Sequence, residues 1–156
     1  MSMELWIFSD KQLSSIAEWQ AAIDLEKYPL KLSDEELFAK LNGFLPSVLQ
    51  GELTGFECYH DNAGDLMRNN AGLNFGHEWT YALGLRWLGS KENETLAAWM
   101  AGTAYARATD GVILNDQDAR SRTASESREV VHDIENPSQA YEEARRELRR
   151  RRGLAP

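Results

Sequence analysis

The sequence predicts an α+β fold, with an antiparallel or mixed sheet, two main helices on one face and further helices at the C-terminus. The strongest observation is the two-residue alternation of E-W-T-Y-A-L-G-L-R-W-L (78–88), which separates large apolar side chains from small and polar ones. Such alternation is typical of a strand with one covered face, and so of an antiparallel or mixed sheet. The element order β-α-β, strands, α-β matches a ferredoxin-like split β-α-β layout. An antiparallel sheet with another strand order is the main alternative.

The first strand and the first helix are predicted from the N-terminal residues. Met3–Phe8 is rich in aromatic and branched side chains, which favour a strand. Ser9, with Gln12 three residues later, has the pattern of a capping box and predicts the start of a helix. Apolar residues then recur at helical spacing to about Lys27, and Pro29 ends the helix.

A short strand and a short helix are predicted next. P-L-K-L (29–32) indicates a strand or an extended connection. A second capping-box pattern, at Ser33 and Glu36, predicts a helix that continues to Leu41 and is closed by Asn42-Gly43.

The middle of the chain predicts a hairpin followed by a long connection. Residues 44–60 contain two strand-like runs separated by a turn at Gln50-Gly51. Pro46 must lie at an edge or at a strand start, because proline cannot donate to a ladder. The Asn- and Gly-rich residues 61–76 predict a loop with about one helical turn.

The second half of the chain predicts helices separated by short strands. Seven alanines or glycines between 97 and 108 allow a long helix to approach the sheet closely, and Asp110-Gly111 is its C-terminal turn. The predicted elements are a helix from Glu92 or Asn93, a strand at 112–114, a polar loop at 115–125, a helix at 125–135, a break at Asn136-Pro137 and a charged helix at 138–152. We expect one α+β domain over 1–137 and an arginine-rich helix or tail over 138–156.

Charge is distributed unevenly along the 156 residues. Residues 1–137 carry 22 acidic and 11 basic side chains, a net charge of −11, whereas residues 138–156 carry 3 acidic and 6 basic ones, a net charge of +3. An acidic body repels nucleic-acid phosphates and favours basic partners, although net charge also simply keeps a domain in solution. The absence of a bilayer-length apolar run and of a leader pattern predicts a cytoplasmic protein without membrane contact.

Reactive side chains are concentrated in E-C-Y-H-D (57–61). If strands 52–60 and 78–88 pair, His60 and His77 approach each other, and with Cys58 they form a candidate nucleophile arrangement or weak metal site. The alternative is structural, because a free cysteine is usually buried and a histidine at a strand end usually forms hydrogen bonds. A single cysteine also excludes an internal disulfide.

Motifs for a cofactor or for catalysis are missing from the sequence. Asp116-x-Asp118 resembles the start of a calcium loop, but Arg120 occupies the position of the third oxygen ligand. Neither a nucleotide-binding glycine motif nor a nucleophile elbow nor a zinc-protease motif is present. We therefore expect a non-enzymatic protein with no cofactor and no metal.

The arginine-rich segment A-Y-E-E-A-R-R-E-L-R-R-R-R (140–152) has two interpretations. Six arginines near its end suggest binding to RNA. Alternatively, the Glu142–Arg146 pair and a narrow apolar stripe indicate a charged helix that is docked on the acidic body or projects from it, with arginines that complement the helix dipole.

The polar face of the predicted sheet is the candidate binding surface. Glu57, Tyr59 and Asp61 share one side of their strand, and Glu78 and Arg86 share one side of its expected neighbour. A tyrosine among charged residues is typical of the centre of a protein interface. These five residues are therefore predicted to bind a protein, while an ordinary solvent-facing side of a sheet is the alternative.

Four segments resemble small bacterial immunity proteins of polymorphic toxin systems. They are W-x-x-A-I-D (19–24), G-F-L-P (43–46), T-G-F-E (54–57) and A-Y-A-R-A-T-D-G-V-I-L-N-D (104–116). The resemblance extends loosely over residues 3–116 and carries no site residues with it. It implies a stoichiometric inhibitor that binds a cognate toxin, and the acidic body fits a partner with a basic, nucleic-acid-cleaving active site. A small enzyme at Cys58, His60 and His77 and an RNA-binding protein remain as alternatives.

Overall fold

Residues 2–153 are described by a computed structural model, and they form one seven-stranded sheet with helices on both faces. In chain order the elements are β1 (Ser2–Ser9), α1 (Ile16–Leu25), β2 (Leu30–Leu32), a 3₁₀ turn (Phe38–Lys40), β3 (Gly43–Leu49), β4 (Glu52–Asp61), α2 (Ala63–Asn69), β5 (Tyr81–Leu88), α3 (Glu92–Thr109), β6 (Val112–Asn115), β7 (Arg120–Arg122), α4 (Ala124–Glu135) and α5 (Pro137–Arg151). The strand order is β2-β3-β4-β5-β1-β6-β7, and every neighbouring pair is antiparallel. The predicted α+β class is therefore confirmed.

The four strands β4-β5-β1-β6 form the split β-α-β arrangement that the sequence predicts. β1 lies between β5 and β6, and α3 connects these two strands across it. The strands β2 and β3 extend this unit at one edge, and β7 extends it at the other. Met1 of the predicted domain and residues 154–156 of the predicted tail lie outside the described residues.

The two main helices, α1 and α3, pack on one face of the sheet and cover the principal core. Small residues in α3 permit the close approach, since a Cβ added at Gly102 would meet Leu85, Ile7 and Leu5 at 3.6–3.7 Å. Trp19 on α1 is fully buried, and its indole Nε1 donates to the carbonyl oxygen of Ala101 at 2.9 Å. Leu83, Leu85 and Trp87 of β5 point into this core, as predicted, whereas Tyr81, predicted on the same side, is 39% exposed and does not join it.

Two predicted helix starts are wrong. The first helix begins at Ile16, because β1 continues to Ser9, where it pairs with Tyr81, and the N-cap is Ser15. The predicted helix at 33–41 is reduced to the 3₁₀ turn, because the Ser33 N–H donates to the Pro46 carbonyl at 2.9 Å and so continues the pairing of β2 with β3. Local capping patterns do not reveal that a residue is engaged by a distant strand.

The hairpin of β3 and β4 is confirmed. Gln50 (φ 51°) and Gly51 (φ 81°) both adopt positive φ, as a two-residue turn that follows the twist of the strands requires. Pro46 lies in the middle of β3, opposite Gly55, and not at a strand start. Its carbonyl oxygen accepts the last hydrogen bond from the β2 side, from Ser33, and the β2–β3 register ends at Ser47, so the missing N–H falls where β3 is locally an edge.

The second face of the sheet is partly covered, in contrast to the prediction of an open face. Residues 61–76 contain the seven-residue helix α2, which with the segment 70–80 packs on this face. These contacts form a second apolar cluster on this face. The buried members of the second cluster are Phe8, Ala63, Ala82 and Leu114, and the partly buried residues that pack against them are Trp6, Leu66, Met67, Leu73, Phe75, Trp79 and Val112.

The predicted strand at 78–88 starts three residues later than expected. Asp10 accepts hydrogen bonds from the N–H (3.0 Å) and the hydroxyl (2.9 Å) of Thr80, and the ladder begins at Tyr81. Glu78 and Trp79 therefore lie outside the strand. Trp79 packs in the second cluster rather than in the principal core.

The C-terminal elements largely match the prediction. The predicted polar loop at 115–125 contains the short strand β7, which pairs with β6. Thr123 and Glu126 form a capping box at the start of α4, and Pro137 begins α5. No side chain of α5 between Pro137 and Arg151 is buried, so this helix lies on the outside of the protein.

Candidate protein-binding face

One half of the second sheet face remains uncovered. We call it the open face, and it comprises Glu4 on β1, Phe44 on β3, Leu53, Glu57 and Tyr59 on β4, and Arg86 and Leu88 on β5. Its apolar members are unusually accessible for their size: Leu53 is 88% exposed, Phe44 55% and Leu88 47%. Exposed large apolar side chains that share one face are typical of a contact site.

Strand register brings the polar members together. Arg86 lies directly opposite Glu4 on one side and Glu57 on the other, and Phe44 in turn lies opposite Glu57. These four side chains form one row across four strands, because residues that are directly opposite in an antiparallel pair project from the same face. The predicted pairing of the strands that carry Glu57 and Arg86 is thereby confirmed.

Arg86 is the centre of a compact charge cluster. Its Nη2 donates to Glu4 Oε1 at 3.2 Å, and its guanidinium carbon lies 5.4 Å from the ring centroid of Tyr59. The Tyr59 hydroxyl donates to Glu57 Oε1 at 2.5 Å. The hydrogen bond to Glu4 raises the pKa of Arg86, and the hydrogen bond to Glu57 raises the pKa of Tyr59. Two carboxylates surround one guanidinium, so the cluster is acidic overall.

The ring of Phe44 lies over Gly55 beside this cluster. A Cβ at Gly55 would lie only 2.4 Å from Phe44 Cζ, so the absent side chain of Gly55 makes room for the ring. The ring borders a depression of about 360 Å³, which Leu88, Arg86 and Glu57 also line. Phe44 therefore offers an exposed aromatic surface next to the Arg86 charge cluster.

Asp61 occupies the boundary between the open and the covered halves. Its Oδ2 lies over the backbone of Gly84, 2.3 Å from where a Cβ of that residue would be. The carboxylate is half-buried and has no hydrogen-bond partner among residues 2–153. Burial, together with the nearby charge of Glu4, raises the pKa of Asp61.

We expect Asp61→Asn to stabilise the protein at neutral pH. Because the pKa of Asp61 is higher in the folded than in the unfolded state, ionisation of its carboxyl opposes folding at pH values above the folded-state pKa. This free-energy cost decreases as the pH falls through the folded-state pKa, and it is absent below the ordinary value of 3.8. Urea unfolding should give Asp61→Asn a higher free energy of unfolding than the wild type at pH 7, and no such increase at pH 3.5. Asp118→Asn should have the opposite effect at pH 7, because a hydrogen bond from Arg122 lowers the pKa of Asp118. A loss of stability in Asp61→Asn would contradict the expectation.

The structure thus unites three of the five residues that the sequence predicts for binding. Glu57, Tyr59 and Arg86 form the cluster, and Asp61 lies at its boundary. Glu78 is exposed in the segment before β5 and does not belong to the row. Glu4, Phe44, Leu53 and Leu88 were not predicted. Leu53 could have been found, since it shares the odd-numbered side of β4 with Glu57 and Tyr59.

The residues of the alternative enzyme site are each engaged with other groups. Cys58 is fully buried in the principal core, and burial raises the pKa of its thiol, which opposes formation of a nucleophilic thiolate. His60 Nε2 lies 2.7 Å from the Phe38 carbonyl oxygen, whereas His77 Nε2 lies 2.6 Å from Asp10 Oδ2. Residues 2–153 contain no group of three or more His, Cys, Asp or Glu side chains that could hold a metal ion.

None of the helices between residues 2 and 153 combines the length and apolar character needed to cross a bilayer. The open face belongs to a split β-α-β sheet that carries helices on both sides. The chain matches no protein-family model, no curated protein and no solved structure.

Proposed function

We propose that the protein is a non-enzymatic binding module that docks a basic protein partner on the open face. The observation that carries the proposal is the exposure of Phe44, Leu53 and Leu88 around the Arg86 charge cluster. Apolar anchors beside an aromatic and an arginine are the composition in which interface energy is concentrated. The buried Cys58 and the two histidines, each engaged by a different partner, give no support to an enzyme.

The partner's charge follows from the charge of this chain. Residues 1–137 carry a net charge of −11, and Glu4 and Glu57 contribute to it on the open face itself. Charge of one sign around a docking site attracts a partner of the opposite sign and accelerates its association. Binding should therefore weaken as the salt concentration rises.

More specifically, we propose that the protein is an immunity protein that acts in the cytoplasm and neutralises a cognate bacterial toxin. It is supported by the four sequence segments that resemble such proteins and by the acidity of the body. An enzyme that cleaves nucleic acid needs a basic active site to hold phosphates. An acidic face with apolar anchors is suited to cover such a site.

The test measures binding to the product of the gene adjacent to that of this protein. We expect a complex at micromolar concentration or tighter by isothermal titration calorimetry, and at least about 30-fold weaker binding for Leu53→Asp, because a charge replaces an apolar anchor at the interface. Leu25→Asp is the matched control, since Leu25 is 84% exposed on α1, on the other side of the sheet.

Circular dichroism should show that both variants remain folded, because both leucines are exposed. Equal weakening of binding by the two substitutions would place the contact elsewhere. A complete absence of binding by the wild-type protein would count against the immunity assignment.

A further inference from the structure

The depression beside Phe44 lies where two neighbouring strands of the sheet separate. The register of β4 with β5 ends at the pair of Glu57 and Arg86, although beyond that point β4 remains paired with β3, and β5 with β1. The gap between the two strands opens into the depression of about 360 Å³, whose walls include Phe56 and Trp87. Ligand sites usually measure about 300–1,000 Å³, so this depression is suited to a single side chain or a small ligand.

Glu94, in the first turn of α3, places its carboxylate at this gap. Its Oε1 lies 3.4 Å from the backbone nitrogen of Leu88, and its Oε2 lies 3.6 Å from Nζ of Lys91. Both distances are long for hydrogen bonds, although the side chain of Glu94 is only 16% exposed. Among residues 2–153 no closer partner replaces the water that this carboxylate has lost, so it can still accept hydrogen bonds from a ligand.

The charged side chains around the depression leave one negative charge uncompensated. Arg86 lines the depression, but its guanidinium donates to Glu4. Lys91 lies beside Glu94 and is itself 61% exposed, so it can move into solvent when another cation arrives. The group has three carboxylates and two cations, a net charge of −1: Glu4, Glu57 and Glu94 against Arg86 and Lys91. One incoming cation would balance this charge.

We propose that the depression takes one arginine side chain of the basic protein partner, an inference that rests on the proposed docking at the open face. The planar guanidinium can stack on the exposed ring of Phe44. Its five N–H donors supply the hydrogen bonds that the Glu94 carboxylate lacks and leave others for Glu57. Lysine fits less well, because its ammonium is a compact, strongly hydrated charge without a flat surface. An apolar side chain would bury Glu94 further without giving it a partner.

The test uses N-acetylarginine amide as the probe and nuclear magnetic resonance of the ¹⁵N-labelled full chain as the readout. We expect saturable shifts of the backbone amides of Trp87 and Leu88, with a dissociation constant in the millimolar range, because the probe is a small ligand. N-acetyllysine amide should bind at least about threefold more weakly. N-acetylcitrulline amide has nearly the same shape as the arginine probe but no charge, and it should cause no saturable shift.

Variants of the carboxylates locate the bound arginine probe. Glu94→Gln should weaken its binding at least about fivefold, and Glu57→Gln should weaken it as well. Glu92→Gln is the matched control, since it removes the same charge from an exposed residue in the same turn of α3 that does not line the depression. Lys91→Gln should tighten binding, because it removes the cation that competes for Glu94. Equal affinity of the wild type and Glu94→Gln, or equal affinity for the arginine probe and either of the other two, would overturn the proposal.

Binding of the product of the adjacent gene separates this inference from the proposed function. Leu53→Asp tests docking on the open face, whereas Glu94→Gln tests the depression alone. If this partner binds Glu94→Gln as tightly as the wild type but binds Leu53→Asp weakly, the docking face stands and the arginine proposal is overturned. If no complex forms while the arginine probe still binds in the depression, the proposed partner is wrong and the ligand class of the depression is supported.

Discussion

Replacing Trp19 with alanine should lower the free energy of unfolding by about 3–5 kcal/mol, the loss typical of deleting a large buried aromatic side chain. The indole is fully buried between α1 and α3. Its ring centroid lies 5.4 Å from that of Phe38, 6.2 Å from that of Phe56 and 5.5 Å from that of Tyr105. Truncation would therefore leave a cavity at the junction of a helix layer, the sheet and the 3₁₀ turn.

Trp19→Phe separates packing from hydrogen bonding. It retains an aromatic ring but leaves the Ala101 carbonyl oxygen without the indole N–H that lies 2.9 Å away. We expect a smaller loss, about 1–3 kcal/mol. Leu25→Ala, at an exposed position of the same helix, should change stability by no more than about 0.5 kcal/mol. Urea unfolding followed by circular dichroism measures all three, and a loss below about 1 kcal/mol for Trp19→Ala would contradict the packing described for this core.

The parts of the fold that the sequence predicts correctly depend on short-range signals. The Gln50-Gly51 turn is predictable because Gly51 readily adopts positive φ and the flanking runs are strand-like, although Gln50, which also adopts positive φ, is not a residue type that favours it. The alternation in β5 predicts its buried side because that periodicity is a property of the strand alone. The same alternation predicts that Glu78 and Trp79 belong to the strand, which is wrong, because Asp10, about seventy residues away, binds Thr80 and the ladder begins only at Tyr81.

The open face shows where sequence reasoning stops. Glu57, Tyr59 and Arg86 were predicted together because two strands adjacent along the chain were expected to pair, and they do. Glu4 is not predictable in this way. It reaches Arg86 because β1 pairs with β5, and these two residues are more than eighty positions apart in the chain, a separation that no local pattern encodes. The extent of the open face is also beyond prediction, because no local pattern shows that α2 and the segment 70–80 cover the other half of this side of the sheet.

The second large effect is expected at Glu26, where one buried carboxylate joins three helices. Glu26 ends α1 and is only 7% exposed, and its Oε2 accepts from Arg128 Nη1 at 2.5 Å while Oε1 accepts from Arg107. Its backbone carbonyl accepts from the same Arg128 at 3.1 Å. A carboxylate that is withdrawn from water is stable only if such partners replace its hydration.

We expect Glu26→Gln to lower the free energy of unfolding by about 2–4 kcal/mol, since the variant breaks both ion pairs of a buried group. The value lies below that of a fully buried triad because both guanidinium groups are 47% exposed and water can solvate them. Lys31→Met removes the exposed pair of Lys31 with Asp24 and should cost no more than about 0.5 kcal/mol. In a double-mutant cycle, Arg107→Met should cost much less in the Glu26→Gln background than in the wild type. Equal costs in the two backgrounds would mean that Glu26 and Arg107 are not energetically coupled, and would contradict the prediction.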